Sequence, residues 1–248
     1  TVPREAPILN PGGSINSDGF RAGQLLVVLE PDADPGAVAG RWNLQVLDQV
    51  PALNIVLFGS SEIADTRVLI EPMSADPDVA VIETNAIAQA PEAHARSIIL
   101  FSIPETVTTN PLYGYELVGA TGASCVSGAN IVVAVLDTGI DPDHPTFEGR
   151  ISDLGWNVLS GTDDFAETRD GIDSDGDGLT DEMYGHGTHV SGIIARVAPG
   201  ATILPIKVLN DDGVGDAFGV AQGIVYAAEH GAQVINLSLS STYDSEIV

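Results

Sequence analysis

The stretch GIDSDGDGLTDEMYGHGTHVSG, residues 171–192, combines two kinds of chemistry. Its first half places carboxylates at alternating positions, which is typical of calcium-binding loops. Its second half starts at His186, where apolar residues at helical spacing indicate that a helix begins. An imidazole at such a point can act as a general base or as a metal ligand. The stretch therefore predicts a metal site next to a catalytic site.

A carboxylate that could serve His186 occurs upstream. Asp137 ends the apolar run IVVAVLD and is followed by Thr138-Gly139. In sheets built from parallel strands, functional sites gather at the carboxyl ends of the strands. In a Ser-His-Asp hydrolase the aspartate fixes the imidazole tautomer, and the imidazole takes the proton of the serine. Asp137 and His186 would supply two of these three groups.

The acidic half of the stretch fits a calcium loop in part. Aspartates occupy the first, third, fifth and ninth positions of an EF-type loop, and a glycine occupies the sixth. Tyr184 stands at the twelfth position, where a bidentate glutamate is usual. Another carboxylate must therefore complete the coordination shell of the calcium ion. The candidate calcium ligands are Asp173, Asp175, Asp177, Asp181 and Glu182. The alternative is an acidic loop that is only solvated.

The rest of the sequence predicts two folded units. Residues 1–21 are rich in Pro, Gly, Ser and Asn, which is typical of a poorly ordered lead-in. Residues 22–92 show the order β-α-β-β-α-β of a small α+β ferredoxin-like domain. A linker is predicted at 93–97. Residues 98–248 alternate continuous apolar strands with helical stretches, which predicts an α/β domain with a parallel, doubly wound sheet.

Several motifs resemble one family. VAVLDTGIDPDHP and GHGTHVSGIIA are similar to the aspartate and histidine motifs of the subtilisin-like serine proteases, and LPIKVLNDDGVG and GAQVINLSLS follow in the family's order. The resemblance covers residues 98–248, and residues 22–92 resemble, more weakly, the family's propeptide. It implies a secreted serine endopeptidase that is made as a zymogen, acts on polypeptide substrates and holds its own propeptide in the cleft.

The resemblance also implies roles for individual residues. Asp137 would be the orienting carboxylate, His186 the general base, and His189 a structural residue. The segment Ser238-Leu239-Ser240 resembles the edge strand that pairs with the substrate backbone. A glycine is usual in the family where Ser240 stands, so the substrate preference of the family cannot be assumed for this chain.

Two of the family's motifs are absent from the sequence. It contains neither a Gly-Thr-Ser-Met-Ala-like nucleophile motif nor the Ala-Ala-Gly-Asn segment of the oxyanion asparagine. We therefore expect the chain to contain only the front part of a catalytic domain, with an incomplete subtilisin-like sheet. We also expect it to be inactive alone. The alternative is a non-catalytic calcium-binding or inhibitory module of the same fold.

Composition excludes other classes of function. A formal net charge of -26, with Lys207 as the single lysine, argues against a nucleic-acid partner. The longest apolar runs are strand-sized, which predicts no membrane span. Cys125 is the single cysteine, so an intrachain disulfide is impossible. An H-x-x-H zinc pair, His186 and His189, lacks a third ligand, and the sequon at Asn236 lies in an apolar strand.

Overall fold

The computed structural model describes residues 14–16, 18–63, 65–91, 127–241 and 243–248. Most of the predicted lead-in, the predicted linker at 93–97 and Cys125 lie outside the described residues.

The amino-terminal part of the chain has the element order that its sequence predicts. Its elements are β1 (Phe20–Leu29), α1 (Pro35–Trp42), β2 (Gln45–Val50), β3 (Ile55–Gly59), α2 (Ile70–Met73) and β4 (Val79–Gln89). The strands pair antiparallel in the order β4-β1-β3-β2. The helix α1 starts where Asp34 accepts a hydrogen bond from the amide of Ala37 at 2.8 Å, a usual N-cap contact.

The second helix is shorter than the sequence EIADTRVLIEPMSA predicts. A 3₁₀ turn at Thr66–Leu69 leads into a single α-helical turn, α2. Pro72 explains the difference, because proline lacks the N–H that an α-helix needs and its ring clashes with the preceding turn. Met73 nevertheless reaches the core and is fully buried.

The amino-terminal sheet is covered on both faces. One face packs under α1 and α2, through a cluster that includes Leu25, Val27, Val38, Phe58 and Met73. The other face places Leu26, Val50, Ile55 and Leu57 against a helix from the carboxyl-terminal part, at Ala217, Phe218 and Ala221. Because side chains alternate along a strand, β1 contributes Leu25 to one cluster and Leu26 to the other.

The carboxyl-terminal part is built on a parallel sheet. Its elements are β5 (Val132–Asp137), β6 (Trp156–Asn157), α3 (His186–Val197), β7 (Thr202–Lys207), β8 (Val214–Asp216), α4 (Ala217–Glu229), β9 (Val234–Leu237) and β10 (Ser240–Ser241). Four strands pair parallel in the order β6-β7-β5-β9. The continuous apolar runs of the sequence therefore form the central strands, as predicted.

Helices cover both faces of this parallel sheet. Val135 of β5 packs in a cluster with Ala195 of α3, whereas Leu136 packs with Val220 and Ala227 of α4. Consecutive residues of β5 thus face opposite helices, which confirms the mixed α/β class. Among the described residues, no helix combines the length and apolar character that a bilayer span requires.

A buried carboxylate in the amino-terminal part provides a test of stability. Asp76 accepts hydrogen bonds from Trp42 Nε1 at 2.7 Å and from Arg41 Nη2 at 2.9 Å. Burial raises the pKa of Asp76, but the hydrogen bonds from Trp42, the Asp78 amide and Arg41 outweigh burial and hold the pKa below its ordinary value. The ionised carboxylate therefore stabilises the fold at neutral pH, and this stabilisation is lost as pH falls through the lowered pKa.

We expect Asp76→Asn to reduce the free energy of unfolding at pH 7 by about 1–3 kcal/mol, because an amide leaves one of these donors unpaired. The measurement is denaturant unfolding followed by Trp42 fluorescence in a Trp156→Phe background. The difference in the free energy of unfolding between Asp76→Asn and the unsubstituted chain should shrink as pH falls. Asp32→Asn, at an exposed aspartate, is the control and should unfold like the parent. Equal stability of Asp76→Asn and the parent at pH 7 would contradict the expectation.

Candidate active site

The carboxylate of Asp137 is fixed at the carboxyl end of the central strand β5. The residue is fully buried, and its backbone carbonyl accepts hydrogen bonds from the amides of Val208 at 3.0 Å and Leu209 at 3.2 Å. The amide of Thr138 donates to Asp137 Oδ1 at 2.7 Å. Strand pairing and these contacts therefore hold the side chain at the edge of the sheet where parallel-sheet proteins place their sites.

His186 is the first residue of α3 and meets this carboxylate. Its Nδ1 lies 2.7 Å from Asp137 Oδ1, and the two side chains are 13% and 0% exposed. Because an ionised carboxylate can only accept hydrogen bonds, this contact favours the imidazole tautomer that carries its hydrogen on Nδ1 and its lone pair on Nε2. The pair thus has the orientation that a general base needs. The structure brings together the two residues that the sequence singled out.

The approach of α3 to the sheet depends on a glycine. A Cβ at Gly187 would lie 2.1 Å from the carbonyl oxygen of Gly139 and 3.1 Å from Asp137 Oδ1. No side chain fits at that distance, so Gly187 allows the first turn of α3 to reach Asp137. The close packing of α3 against the end of β5 therefore requires the glycine that follows His186 in the motif.

A groove runs beside His186. Its lining includes His186, His189, Ser238, Leu239 and Pro91. Two of the three residues predicted for the substrate strand therefore line the groove that His186 faces. Ser240 lies in β10, which pairs with β4. His189, to which the resemblance assigns a structural role, is exposed on the same side of α3 as His186.

The end of β4 leads into this groove as an extended segment between two short strands. On one side it pairs antiparallel with β8, from Ile87 opposite Asp216 to Gln89 opposite Val214. On the other side Gln89 lies opposite Ser240 of β10. The amide of Ala90 then donates to the carbonyl of Gly213 at 2.8 Å. The carboxyl-terminal part thus binds an extended strand through backbone hydrogen bonds on both edges.

Residues 128–247 match the Subtilase family (Peptidase_S8). These residues belong to the subtilase family. Fervidolysin of Fervidobacterium pennivorans is 33% identical over 216 residues, which cover 78% of this chain and 28% of fervidolysin. Thermitase of Thermoactinomyces vulgaris is 36% identical over 141 residues, which cover 52% of this chain and 45% of thermitase. The chain therefore spans less than half the length of these two relatives.

Solved structures show the same fold. The crystal structure of fervidolysin, described as a keratinolytic enzyme related to subtilisin, superposes with a TM-score of 0.66 at 25% identity, covering 95% of this chain and 38% of that one. The epidermin leader peptide processing serine protease of Staphylococcus aureus superposes with a TM-score of 0.56 at 19% identity, covering 89% of this chain and 50% of that one. The predicted subtilisin-like fold is thereby confirmed.

The acidic loop gathers three of the five predicted metal ligands. Carboxylate oxygens of Asp173, Asp175 and Asp177 lie within 4.8 Å of one another. Asp181 is placed differently, since its carboxylate accepts hydrogen bonds from the amides of Asp170 at 2.9 Å and Gly171 at 3.1 Å. Asp181 thus closes the base of the loop and is not part of the three-residue group.

Glu182 does not belong to this group of three aspartates, but it lies close enough to Asp175 and Asp177 for their charges to act on its carboxyl group. Burial, together with the charges of Asp212, Asp175 and Asp177, raises the pKa of Glu182 to about 7. Neither of its carboxylate oxygens has a hydrogen-bond partner among the described residues. A cation at this cluster would supply the positive charge that these carboxylates lack, so the residues present fit a calcium ion.

Two buried charged residues near the pair were not predicted from the sequence. Lys207, at the end of β7, is 4% exposed, and its Nζ donates to the carbonyl of Thr138 at 2.5 Å and to Asp211 at 3.1 Å. Its position as the only lysine, at the end of an apolar run, was a signal that could have identified it. The second is Glu167, a loop residue with no local pattern that marks it.

Proposed function

We propose that the complete protein is a serine endopeptidase in which Asp137 and His186 act as the orienting carboxylate and the general base. The observation that supports this most directly is the 2.7 Å contact between Asp137 Oδ1 and His186 Nδ1, within residues that match the subtilase family. Because the chain spans less than half of its curated relatives, the proposal concerns the protein as a whole, with the nucleophilic serine supplied outside the present 248 residues.

The geometry suits acyl transfer in the following way. The serine oxygen attacks the carbonyl carbon of the peptide as its proton passes to His186 Nε2. Asp137 stabilises the imidazolium that forms, and the imidazolium then donates its Nε2 proton to the leaving amine, so that the C–N bond breaks and an acyl-enzyme remains. Water, deprotonated by the same nitrogen, then attacks the acyl carbon. The C–O bond to the serine breaks, the imidazolium returns its proton to the serine oxygen, and the acid is released. Peptidase activity of the full-length protein, with and without His186, tests the proposal.

We propose that substrates bind as extended polypeptides at the two edges that now hold the end of β4. The supporting observation is the pairing of residues 87–89 with β8 on one side and of residues 88–89 with β10 on the other. Ser238 and Leu239 line the groove beside His186, and Ser240 pairs with the bound strand. Backbone hydrogen bonds carry no sequence information, so the side chains that line the groove would set the preference.

We propose that residues 22–92 are a ferredoxin-like propeptide and that the protein is made as a zymogen. The support is the β-α-β-β-α-β order, the strand order β4-β1-β3-β2, and the insertion of the end of β4 between β8 and β10. Contacts between the two parts also include Asn85 Oδ1, which accepts from the amide of Phe218 at 3.1 Å, and the ion pair of Arg21 with Asp216 at 3.1 Å. A strand in the groove would exclude substrates until it is removed.

We further propose that the acidic loop binds calcium through Asp173, Asp175 and Asp177, with Glu182 closing the shell, and that the enzyme is secreted. Carboxylate oxygens are the ligands that calcium prefers. Glu182 supports a cation because its oxygens lack hydrogen-bond donors and its pKa is raised. Secretion would expose the loop to the high calcium outside cells, where such sites bind at about 10⁻⁴–10⁻³ M.

We expect calcium to raise the melting temperature of the chain and Asp175→Asn to abolish most of that rise. At a calcium concentration of about 100 times Kd, binding to the folded state alone contributes about 2.7 kcal/mol. Thermal melts with calcium and with a chelator measure the effect. Asp153→Asn, at an exposed aspartate outside the loop, should keep the full response. If the chain melts at the same temperature with calcium and with chelator, the loop is not a calcium site.

A further inference from the structure

Glu167 is a buried carboxylate that the proposed chemistry does not use. It is 9% exposed and lies in the segment between β6 and α3. Its Oε1 accepts hydrogen bonds from Thr138 Oγ1 at 2.6 Å, from the amide of Gly185 at 3.1 Å and from the amide of Gly187 at 3.2 Å. Its Oε2 accepts a hydrogen bond from the hydroxyl of Thr188. These donors compensate the cost of burying the charge.

The donors belong to the two segments that hold the proposed catalytic pair. Thr138 directly follows Asp137, whereas the other three donors flank His186 at the start of α3. The amide of Gly187 also donates to Thr138 Oγ1 at 3.0 Å, so the strand end and the helix start share one hydrogen-bonded network. Glu167 contacts both sides of this network and joins them.

The backbone that carries Glu167 is itself fixed against the strand end. The amide of Ile140 donates to the carbonyl of Phe165 at 3.2 Å, and the amide of Glu167 donates to the carbonyl of Ile140 at 3.2 Å. Gly139 has φ 109°, and a Cβ there would lie 2.5 Å from the Phe165 carbonyl oxygen. The backbone segment that carries the Glu167 carboxylate is therefore held against the turn that directly follows Asp137.

Electrostatics favour a carboxylate in this place. The amides at the first turn of α3 have no partners within the helix and carry the positive end of its dipole. An anion beneath them stabilises the start of the helix at the residue that must face Asp137. A hydroxyl or an amide group in place of Glu167 could not accept from all four donors at once.

We propose that Glu167 is a positioning residue that keeps the start of α3 in register with the end of β5, so that His186 retains its hydrogen bond to Asp137. Its effect on catalysis rests on the proposed peptidase function, but its effect on the His186–Asp137 contact does not. The two effects can therefore be measured separately, one in the full-length enzyme and one in the present chain.

The test replaces Glu167 by Gln, which keeps the size of the side chain and removes its charge. In the full-length enzyme we expect kcat to fall by roughly 10–100-fold with KM little changed, because a small displacement of a catalytic group has a large effect on rate. In the 248-residue chain we expect the low-field proton NMR signal of His186 Nδ1–H to broaden or disappear. Glu148→Gln, at an exposed glutamate, should change neither the rate nor the signal.

Each outcome decides the proposal. Retention of the Nδ1–H signal in a folded Glu167→Gln chain would overturn it, whatever the activity of the full-length protein. Loss of the signal at an unchanged melting temperature would support it, even if the full-length protein proves not to be a peptidase. Should Glu167→Gln fail to fold, Thr188→Val removes one donor to the carboxylate, and Thr188→Ser, which keeps the hydroxyl, is its control. An identical signal in both threonine variants would contradict the proposal.

Discussion

Replacing Asp137 by Asn in the full-length enzyme is expected to lower kcat by roughly 10⁴-fold, as for other triads of this kind. The amide of Asn would donate to His186 Nδ1, so the ring would carry its hydrogen on Nε2 and could not accept the proton of the serine. His186→Ala should have an effect of similar or greater size, because it removes the base itself. The measurement is hydrolysis of a peptide substrate by each variant, with kcat and KM determined separately.

The controls separate chemistry from folding. His144→Ala removes another imidazole, which is exposed at the N-cap of the 3₁₀ turn Pro145–Phe147, and should leave kcat unchanged. The 248-residue chain should show no peptidase activity, because its sequence contains no Gly-Thr-Ser-Met-Ala-like motif. Substantial hydrolysis by His186→Ala or by the short chain would refute the assignment, and would favour a different nucleophile or base.

Elements with strong local patterns could be predicted from the sequence. The run IVVAVLD predicts a buried strand that ends at Asp137, and β5 ends at that residue. The glycine-rich motif at His186 predicts the start of a helix, and α3 begins there. In both cases the decisive information lies within a few residues, as periodicity and close packing require. The helix predicted over EIADTRVLIEPMSA forms only as a 3₁₀ turn followed by one α-helical turn, because Pro72 limits the α-helix to its own turn.

Contacts between distant segments could not be predicted in this way. Nothing local to Glu167 indicates that it lies beneath the start of α3, because its partners are 18 to 29 positions away. Likewise, the pairing of β4 with β8 and β10 depends on how two parts of the chain pack. The spacing of the acidic loop predicted the group of Asp173, Asp175 and Asp177, but not that Asp181 would bind backbone amides instead.

The amino-terminal segment, residues 1–97, is expected to inhibit the mature enzyme when added separately at micromolar concentration. It would insert the end of β4 between β8 and β10 and bury Leu26, Ile55 and Leu57 against α4. Ala90→Pro should raise the inhibition constant by roughly 10-fold, because it removes the amide that donates to Gly213 and one such hydrogen bond contributes about 0.5–1.5 kcal/mol. Initial rates of peptide hydrolysis at increasing segment concentration measure the constant.

Glu71→Gln provides the matched control for this experiment, because Glu71 is exposed on α2, away from the strands that pair with the carboxyl-terminal part. It should inhibit as strongly as the parent segment, and circular dichroism should show that all three segments are folded. If the folded parent segment fails to inhibit at micromolar concentration, the propeptide role is wrong. If Ala90→Pro inhibits as well as the parent, the docked sheet blocks the enzyme without help from the strand in the groove, and the proposed mode of substrate binding loses its main support.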